Sequence, residues 1–395
     1  MVINKTMASK KKSQKTMLPH SKAKVEFYEK YLERYLPIMS LSPYISTIHI
    51  YDFFCGQGVY ENGGEGSPIR ALKSVVNVKK SKPSRTKFKL YLNDLSPKSV
   101  ESVKDYIAQN IPDYKSYCDV EFSTEDAVKL LDELGTSLFR TKTDERNLLF
   151  IDPYGYSLIH KETIENILKN GKTEIILFLP VSFMHRFSGY AFDPDASNSV
   201  APLRRFIEEF FPENHPMRKP DEEMNVHEYI DYLKGAFSFG DKYYTASYQI
   251  EREKGKYFAL FFMTHNLLGF EKILEVKWKL DEEDGNGFRL EKASPYVQMS
   301  LFEEDFAEAK RQEHSKRLRE AMMNYLQEPR NNSELYKFVM RKGYLKQHGN
   351  GILKQLQDDG RLEVVDITSG NAARKGSFYL AYEAAKNPKV RFILK

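Results

Sequence analysis

The distribution of apolar positions divides the chain into helical and extended segments. Between Ser21 and Met39 apolar residues recur at helical spacing, which predicts a first amphipathic helix. Short apolar runs follow, with helical segments between them. These runs predict five strands, the first beginning at Ile48 and the others spanning Lys87–Leu92, Val120–Phe122, Asn147–Ile151 and Glu174–Pro180. Such alternation is typical of right-handed βαβ units, so we expect a parallel sheet with helices on both faces.

Two further β-rich runs come later in the chain. Tyr243–Ile250 and Tyr257–His265 are joined by a loop at Gly255, and they predict an antiparallel hairpin that closes the edge of the sheet. The proline- and aromatic-rich segment before them, Val181–Gly240, is expected to be a helical insertion beside the site. The predicted fold class is therefore α/β, a doubly wound sheet that ends in an antiparallel hairpin.

The C-terminal part of the chain has a different pattern. Apolar spacing predicts helices over Glu313–Leu326, within NSELYKFVMRKG and over Lys346–Gln357, and strands in RLEVVDI and GSFYLAYE. Three helices with a β-ribbon predict a small winged-helix domain. The expected organisation is thus a basic flexible arm (1–24), the α/β domain (25–280), a linker (281–302) and the winged-helix-like domain (303–395).

The first predicted strand ends in a loop suited to a nucleotide cofactor. It reads DFFCGQG from Asp52, and glycines at 56 and 58 allow sharp turning and close approach of a ligand to the main chain. A dinucleotide fingerprint would need a third glycine where Glu61 stands, which argues against a nicotinamide cofactor. The form Asp-x-Phe-x-Gly-x-Gly, which includes Phe54, resembles the first motif of S-adenosylmethionine-dependent methyltransferases. The alternative is an ordinary tight turn.

Acidic residues follow the next two strands. A carboxylate at Asp94 is placed to accept hydrogen bonds from both ribose hydroxyls of a nucleoside, and one at Asp126 from an adenine amino group. Each aspartate has an equally good alternative role, because Asp is also a common cap of turns and helices.

The fourth strand runs into LLFIDPYGYS, where a carboxylate is followed by proline and tyrosine. This loop resembles the Asp-Pro-Pro-Tyr loop of amino-methyltransferases. By that resemblance Asp152 and Pro153 would hold the exocyclic amine of a base, and Tyr154 would stack on the base. The pair Tyr154-Gly155 departs from the family pattern, which has proline and an aromatic residue there, and an ordinary turn is the alternative.

Four segments together resemble the three-Cys-motif partner protein family over roughly residues 20 to 280. They are HSKAKVEFYEKYL, YDFFCGQGVYENGGEGSPIRAL, LLFIDPYGYS and KYFALFFMTHNLLGFEKILE. The resemblance implies a class I methyltransferase-like, Rossmann-type fold, and a separate partner protein bearing three conserved cysteines. The two cysteines of this chain, Cys55 and Cys118, are not that motif.

Nucleic acid is the expected macromolecular partner. Residues 1–24 carry seven lysines and no acid, which suits contact with phosphates, although a solvated terminus is an equal alternative. In a winged helix the third helix enters the major groove. The residues expected to contact bases or phosphates there and in the wing loop are Lys346, Gln347, His348, Asn350, Lys354, Arg374 and Lys375. The same module also serves protein interaction.

Composition narrows the setting. The chain has 395 residues and a formal net charge of +5, which is too small to imply nucleic-acid binding without the local clusters. Two cysteines without a disulfide framework fit a reducing, cytoplasmic compartment. No apolar run approaches the roughly 20 residues that span a bilayer, so no membrane association is expected. The histidines show no metal-ligand spacing.

The sequence therefore predicts S-adenosylmethionine-dependent methylation of an exocyclic amino group on a DNA or RNA base, in association with a three-Cys-motif protein. A non-catalytic adaptor that recruits this partner to nucleic acid is the alternative. A nuclease is a third possibility, since Glu275 and Lys277 form the Glu-x-Lys half of a nuclease site, but that triplet is expected at a strand edge.

Overall fold

The computed structural model describes residues 16–153, 155–218, 224–290 and 301–395, with 301–311 described by their backbone. A mostly parallel eight-stranded sheet forms the centre of the α/β domain. Its strands are β1 (Thr47–Asp52), β2 (Lys87–Asn93), β3 (Asp119–Ser123), β4 (Glu145–Ile151), β5 (Thr173–Leu179), β6 (Tyr244–Glu253), β7 (Lys256–Thr264) and β8 (Gly287–Phe288). Their spatial order is β3-β2-β1-β4-β5-β7-β6-β8.

The first five strands are mutually parallel, and the hairpin supplies the antiparallel pair. β7 pairs antiparallel with β5 and β6 antiparallel with β7, while β8 adds to the outer edge parallel to β6. The predicted parallel sheet with a closing hairpin is confirmed. Part of the segment that was predicted to be a linker is instead a strand, because Gly287 and Phe288 pair with β6 and so belong to the α/β domain.

Helices cover both faces of the sheet. They are α1 (Pro19–Ser40), α2 (Ser67–Ser81), α3 (Pro97–Asn110), α4 (Ala127–Ser137), α5 (Lys161–Leu168), α6 (Val181–Ser188), α7 (Ala201–Phe210), α8 (Val226–Ala236) and α9 (Leu267–Leu280). The side chains of β4 alternate between two apolar cores, one on each face of the sheet. Leu148 and Phe150 lie in one core, and Leu149 and Ile151 lie in the other. Burial on both faces explains why these strands are almost continuously apolar.

The start of the first helix and the position of the Glu-x-Lys triplet differ from the sequence prediction. α1 begins at Pro19, so the last residues of the predicted basic arm are helical and Ala23 is buried in the core. Residues 1–15 lie outside the described part. Glu275 and Lys277 belong to helix α9 rather than a strand edge, and Lys277 is buried. The structural placement expected of the Glu-x-Lys triplet was therefore wrong.

The C-terminal domain combines helices with a small sheet. Its elements are α10 (Leu301–Tyr325), β9 (Arg330–Asn331), α11 (Asn332–Arg341), α12 (Lys346–Asp358), β10 (Leu362–Asp366), α13 (Tyr382–Lys386) and β11 (Val390–Leu394). The strands form an antiparallel sheet in the order β10-β11-β9. The strand predicted in GSFYLAYE is absent from this described segment. β11 takes its place, and Tyr382 instead begins a short helix.

The C-terminal domain is docked on helix α9. The Tyr336 hydroxyl donates to the buried Glu271 carboxylate at 2.6 Å, and the Lys346 ammonium lies 3.0 Å from the same carboxylate. Further along α9 the Trp278 indole N–H donates to the Gly343 carbonyl at 2.9 Å. Because a buried carboxylate is costly without partners, these contacts hold the two domains in one arrangement.

Gly269 allows the close approach of α9 to the sheet. A Cβ at this position would overlap the Glu174 carboxylate, which is buried and accepts hydrogen bonds from Tyr31 and Thr264. We expect Gly269→Ala to lower the free energy of unfolding by about 1–3 kcal/mol through over-packing. Gly351→Ala in α12, where nothing lies within 4 Å, should be neutral or stabilising by up to about 1 kcal/mol. Urea unfolding of both variants measures the contrast, and equal effects would contradict it.

Candidate functional site

The candidate residues of the α/β domain converge on one edge of the sheet. Asp52 ends β1, Asp94 follows β2, Asp126 follows β3 and Asp152 follows β4. These four strands are parallel, so their carboxyl ends lie side by side. This edge is where open α/β sheets bind ligands.

Asn93 ties three of these strand ends together, a role that sequence reasoning missed. Its amide nitrogen donates to the Phe53 carbonyl at 3.2 Å and the Glu125 carbonyl at 3.0 Å. Its amide oxygen accepts from the Ser123 hydroxyl at 2.8 Å and the Glu125 N–H at 2.9 Å. The only sequence signal was a polar residue that closes an apolar strand.

The two loop glycines have different surroundings. Gly56 has a φ of +60°, and nothing lies within 4 Å of the position its Cβ would take. Gly58 has a φ of +77°, but its Cβ position is 2.8 Å from the Val103 side chain of α3. Gly56 therefore leaves space beside the strand ends, whereas Gly58 lets the loop pack against a helix.

The two aspartates that are predicted to bind the nucleoside part of the cofactor both accept hydrogen bonds from nearby backbone N–H groups. Asp94 is buried, and its two carboxylate oxygens accept from the Gly56 N–H at 3.1 Å and the Ser96 N–H at 2.9 Å. Asp126 is exposed and caps α4 by accepting from the Val128 N–H at 2.8 Å. The alternative role as caps is thus present at both positions. Asp94 keeps a second lone pair on each carboxylate oxygen, and Asp126, whose Oδ1 accepts from both Val128 and Lys129, keeps its Oδ2, so a ligand role stays a prediction.

Asp52 is fully buried, with its carboxylate accepting from the Phe54 N–H at 3.3 Å. The pKa of Asp52 is raised to about 7: burial is the main cause, the Ser67 hydroxyl opposes it, and the nearby charge of Asp152 adds to it. The adjacent Tyr28 hydroxyl is buried without a hydrogen-bond partner among the described residues. The interior side of the site is therefore polar and poorly solvated.

Asp152 forms an ion pair with Lys24 of α1. The Lys24 ammonium also lies 4.7 Å from the centre of the Phe178 ring on β5. Sequence reasoning assigned Lys24 to the basic arm and missed this contact. The helical spacing indicated only that Lys24 faces inward, since it lies four residues before the buried Tyr28 and on the same face of α1, and it did not indicate the partner.

The loop after Asp152 is described except at one position. Pro153 is buried, and Tyr156 packs its ring 6.2 Å from that of Phe183 at the start of the helical insertion. Tyr154, the predicted stacking residue, lies outside the described residues.

The seven predicted nucleic-acid contacts do not share one surface. Lys346 pairs with Glu271, and the His348 ring lies 4.4 Å from that of Trp278, so both face the α/β domain. Burial lowers the pKa of His348. The Asn350 amide oxygen is buried with no partner in the described part. The remaining four are exposed: Gln347, Lys354, Arg374 and Lys375.

No helix of the described residues is long and apolar enough to cross a membrane. Those residues also contain no cluster of three or more His, Cys, Asp or Glu side chains with metal-binding geometry. Cys55 and Cys118 are buried free thiols.

No protein-family model and no curated protein matches the chain. An O-methyltransferase from Bacillus cereus in complex with SAH is 15% identical over 60% of this chain and 80% of that one, with a TM-score of 0.32. A spermidine synthase from Thermotoga maritima is 14% identical over 72% of this chain and 74% of that one, with a TM-score of 0.29. Structural similarities at these TM-scores do not support a fold assignment, which rests instead on the strand order described above.

We expect Asn93→Ala to lower the free energy of unfolding by about 2–4 kcal/mol. The change leaves hydrogen-bonding groups after β1 (Phe53) and at the end of β3 (Ser123 and Glu125) without their partner, and each such group costs about 1–3 kcal/mol where it is buried. Asn110→Ala is the matched control, because that side chain is exposed and makes one bond to the Tyr106 carbonyl. Urea denaturation followed by circular dichroism gives both values, and comparable losses would show that Asn93 has no special role.

The buried carboxyl of Asp52 should make stability depend on pH. Its folded pKa, about 7, lies above the unfolded value near 3.8, so its favourable contribution is complete below pH 4 and is lost as the pH rises towards 7. The loss amounts to at most about 4 kcal/mol.

The free energy of unfolding of Asp52→Asn, taken relative to that of wild type, should therefore be higher at pH 7.5 than at pH 4.5. Urea unfolding across that range measures the difference. Glu174→Gln is a positive control, because burial also raises the pKa of Glu174 to about 7. Parallel pH curves for wild type and Asp52→Asn would rule out the assignment.

Proposed function

We propose that the chain binds S-adenosylmethionine and transfers its methyl group to an exocyclic amino group on a nucleic-acid base. The observation that carries this proposal is the convergence of Gly56, Asp94, Asp126 and Asp152 on the carboxyl edge of one parallel sheet. The strand order, with an antiparallel β7 between β5 and β6, supports a class I methyltransferase-like arrangement.

The residues present fit the cofactor. Gly56 leaves open space where a side chain would stand, and Asp94 lies directly against the Gly56 N–H. Asp94 would accept from the ribose hydroxyls, and Asp126 from the adenine amino group, through lone pairs that their backbone contacts leave unused. When bound, S-adenosylmethionine supplies an electrophilic methyl group.

Asp152 would orient the acceptor amine. Its carboxylate would accept a hydrogen bond from the amine and so direct the nitrogen lone pair towards the methyl carbon. A neutral amine needs orientation more than deprotonation, so a strong general base is not required. Pro153 shapes the loop, and Tyr154 is proposed to stack on the base.

The ion pair of Asp152 with Lys24 supports a second candidate function. Because Lys24 already neutralises the proposed amine-binding acid, the domain would be a cofactor-binding adaptor that recruits a three-Cys-motif protein to nucleic acid. In the enzyme, by contrast, the incoming amine must displace the Lys24 ammonium or bind the free carboxylate oxygen.

The C-terminal domain is proposed to hold nucleic acid. Its element order α10-β9-α11-α12-β10-α13-β11 and its antiparallel sheet support a winged-helix-like arrangement. We propose contact through the exposed Gln347 and Lys354 of α12 and through Arg374 and Lys375 in the loop after β10. Lys346 and His348 would first have to leave the α/β domain.

The functions are separated by measuring binding and transfer on the same full-length protein. We expect calorimetric titration to detect S-adenosylmethionine and S-adenosylhomocysteine but not NAD. Labelled methyl transfer to DNA or RNA should fall at least about 100-fold in Asp152→Ala with cofactor affinity unchanged. Asp113→Ala, an exposed acid before β3, is the control.

Each outcome has one interpretation. Transfer that depends on Asp152 supports the enzyme. Cofactor binding without transfer, in wild type and in Lys24→Met alike, supports the adaptor. Absence of affinity for both S-adenosyl compounds would overturn the proposal.

A further inference from the structure

A row of aromatic rings runs outward from the loop that follows Asp152. It begins at Tyr156, which is buried, continues to Phe183 at 6.2 Å between ring centres, and ends at Phe187 a further 4.7 Å away. Phe183 and Phe187 lie on α6, the first helix of the insertion. Phe183 is 51% exposed, so this large apolar ring is presented to solvent at a cost in burial.

The row lies beside the proposed transfer loop. α6 begins two residues after the carboxyl end of β5, and β5 pairs with β4, whose carboxyl end carries Asp152. Phe178, near that end of β5, contacts the Lys24 ammonium that pairs with Asp152. The exposed ring of Phe183 is therefore at the same edge of the sheet as the acid proposed to hold the amine.

A cation accompanies the rings. The Arg186 guanidinium lies 5.2 Å from the centre of the Phe187 ring, and Arg186 is exposed and forms no ion pair within the part of the chain that the structure describes. An exposed aromatic face next to an unpaired guanidinium is the combination that binds unstacked nucleotides, with the ring stacking on the base and the cation neutralising phosphate.

We propose that Phe183 is a platform on which the target base stacks in addition to Tyr154, and that Arg186 binds the adjoining phosphate. This inference rests on the proposed function and narrows its substrate class to a nucleotide that is unpaired, either in a single strand or extruded from a duplex. A base inside a duplex has both faces covered by its neighbours, so it cannot use the platform without first being extruded.

Binding of labelled oligonucleotides to the full-length protein tests the platform. The probes are a fluorescein-labelled 20-nucleotide single strand and the corresponding duplex, each as DNA and as RNA, measured by fluorescence anisotropy. We expect a single strand to bind more tightly than its duplex. Phe183→Ala should weaken single-strand binding by about 5-fold or more, and Phe183→Trp should retain it.

The matched control is Phe139→Ala. Phe139 is 56% exposed, and it precedes β4, which places it at the opposite edge of the sheet. Its truncation should leave affinity unchanged. Arg186→Gln should reduce the slope of log Kd against log salt by about 0.7, as expected for one lost phosphate contact.

Three results would overturn the platform. They are no affinity of wild type for any probe, equal affinities in Phe183→Ala and Phe139→Ala, and a wild-type dimer in sedimentation velocity that Phe183→Ala converts to a monomer without change in oligonucleotide affinity. The last result would make the aromatic row a contact between two copies of the chain.

Failure of the platform is distinguishable from failure of the proposed function. Calorimetry with S-adenosylmethionine on wild type and Phe183→Ala reports the cofactor site alone. Phe183-dependent oligonucleotide binding without cofactor affinity would refute the methyltransferase proposal and leave the platform standing. Methyl transfer that is undiminished in Phe183→Ala would refute the platform and leave the methyltransferase proposal standing.

Discussion

The hydrogen bonds of the Asn93 side chain are the interaction on which the candidate site depends. Parallel strands bring their carboxyl ends to one edge, but the loops beyond them are free to diverge. One buried amide, satisfied on both its nitrogen and its oxygen, joins the loops after β1 and β3 to the end of β2. The positions of Gly56, Asp94 and Asp126 relative to one another follow from this arrangement.

The second determinant is electrostatic. Asp52 and Asp152 lie close enough for the charge of one to affect the other, and only Lys24 forms a described ion pair with either. Because Lys24 offsets Asp152 and the pKa of Asp52 is raised to about 7, these three groups carry little net charge near neutral pH and become negative as the pH rises. Such a site would accommodate the sulfonium centre and the amino group of S-adenosylmethionine, the cofactor proposed above.

Much of the α/β domain could be predicted because its signals are local. The unbroken apolar run that predicts β4 is contained within a few residues, and the structure extends that strand by only two residues, from Glu145 rather than Asn147. The ion pair of Lys24 with Asp152 could not be predicted, because it joins residues 128 positions apart. The inward orientation of Lys346 could not be predicted either, because it depends on Glu271, a buried residue of the α/β domain. β11 was missed because GSFYLAYE has the stronger strand composition, although Val390–Leu394 is the segment that pairs with both β10 and β9.

The docking of the C-terminal domain on α9 affects how the chain can be divided. One continuous cluster of buried apolar residues includes members of both domains, and the Glu271 carboxylate takes one partner from α11 and one from α12, in addition to Lys272 on α9. Separating the domains would uncover that apolar surface and deprive the acid of its partners on α11 and α12. The two parts are therefore a single cooperative unit, and a foreign domain grafted in place of the second would need its own complement to α9.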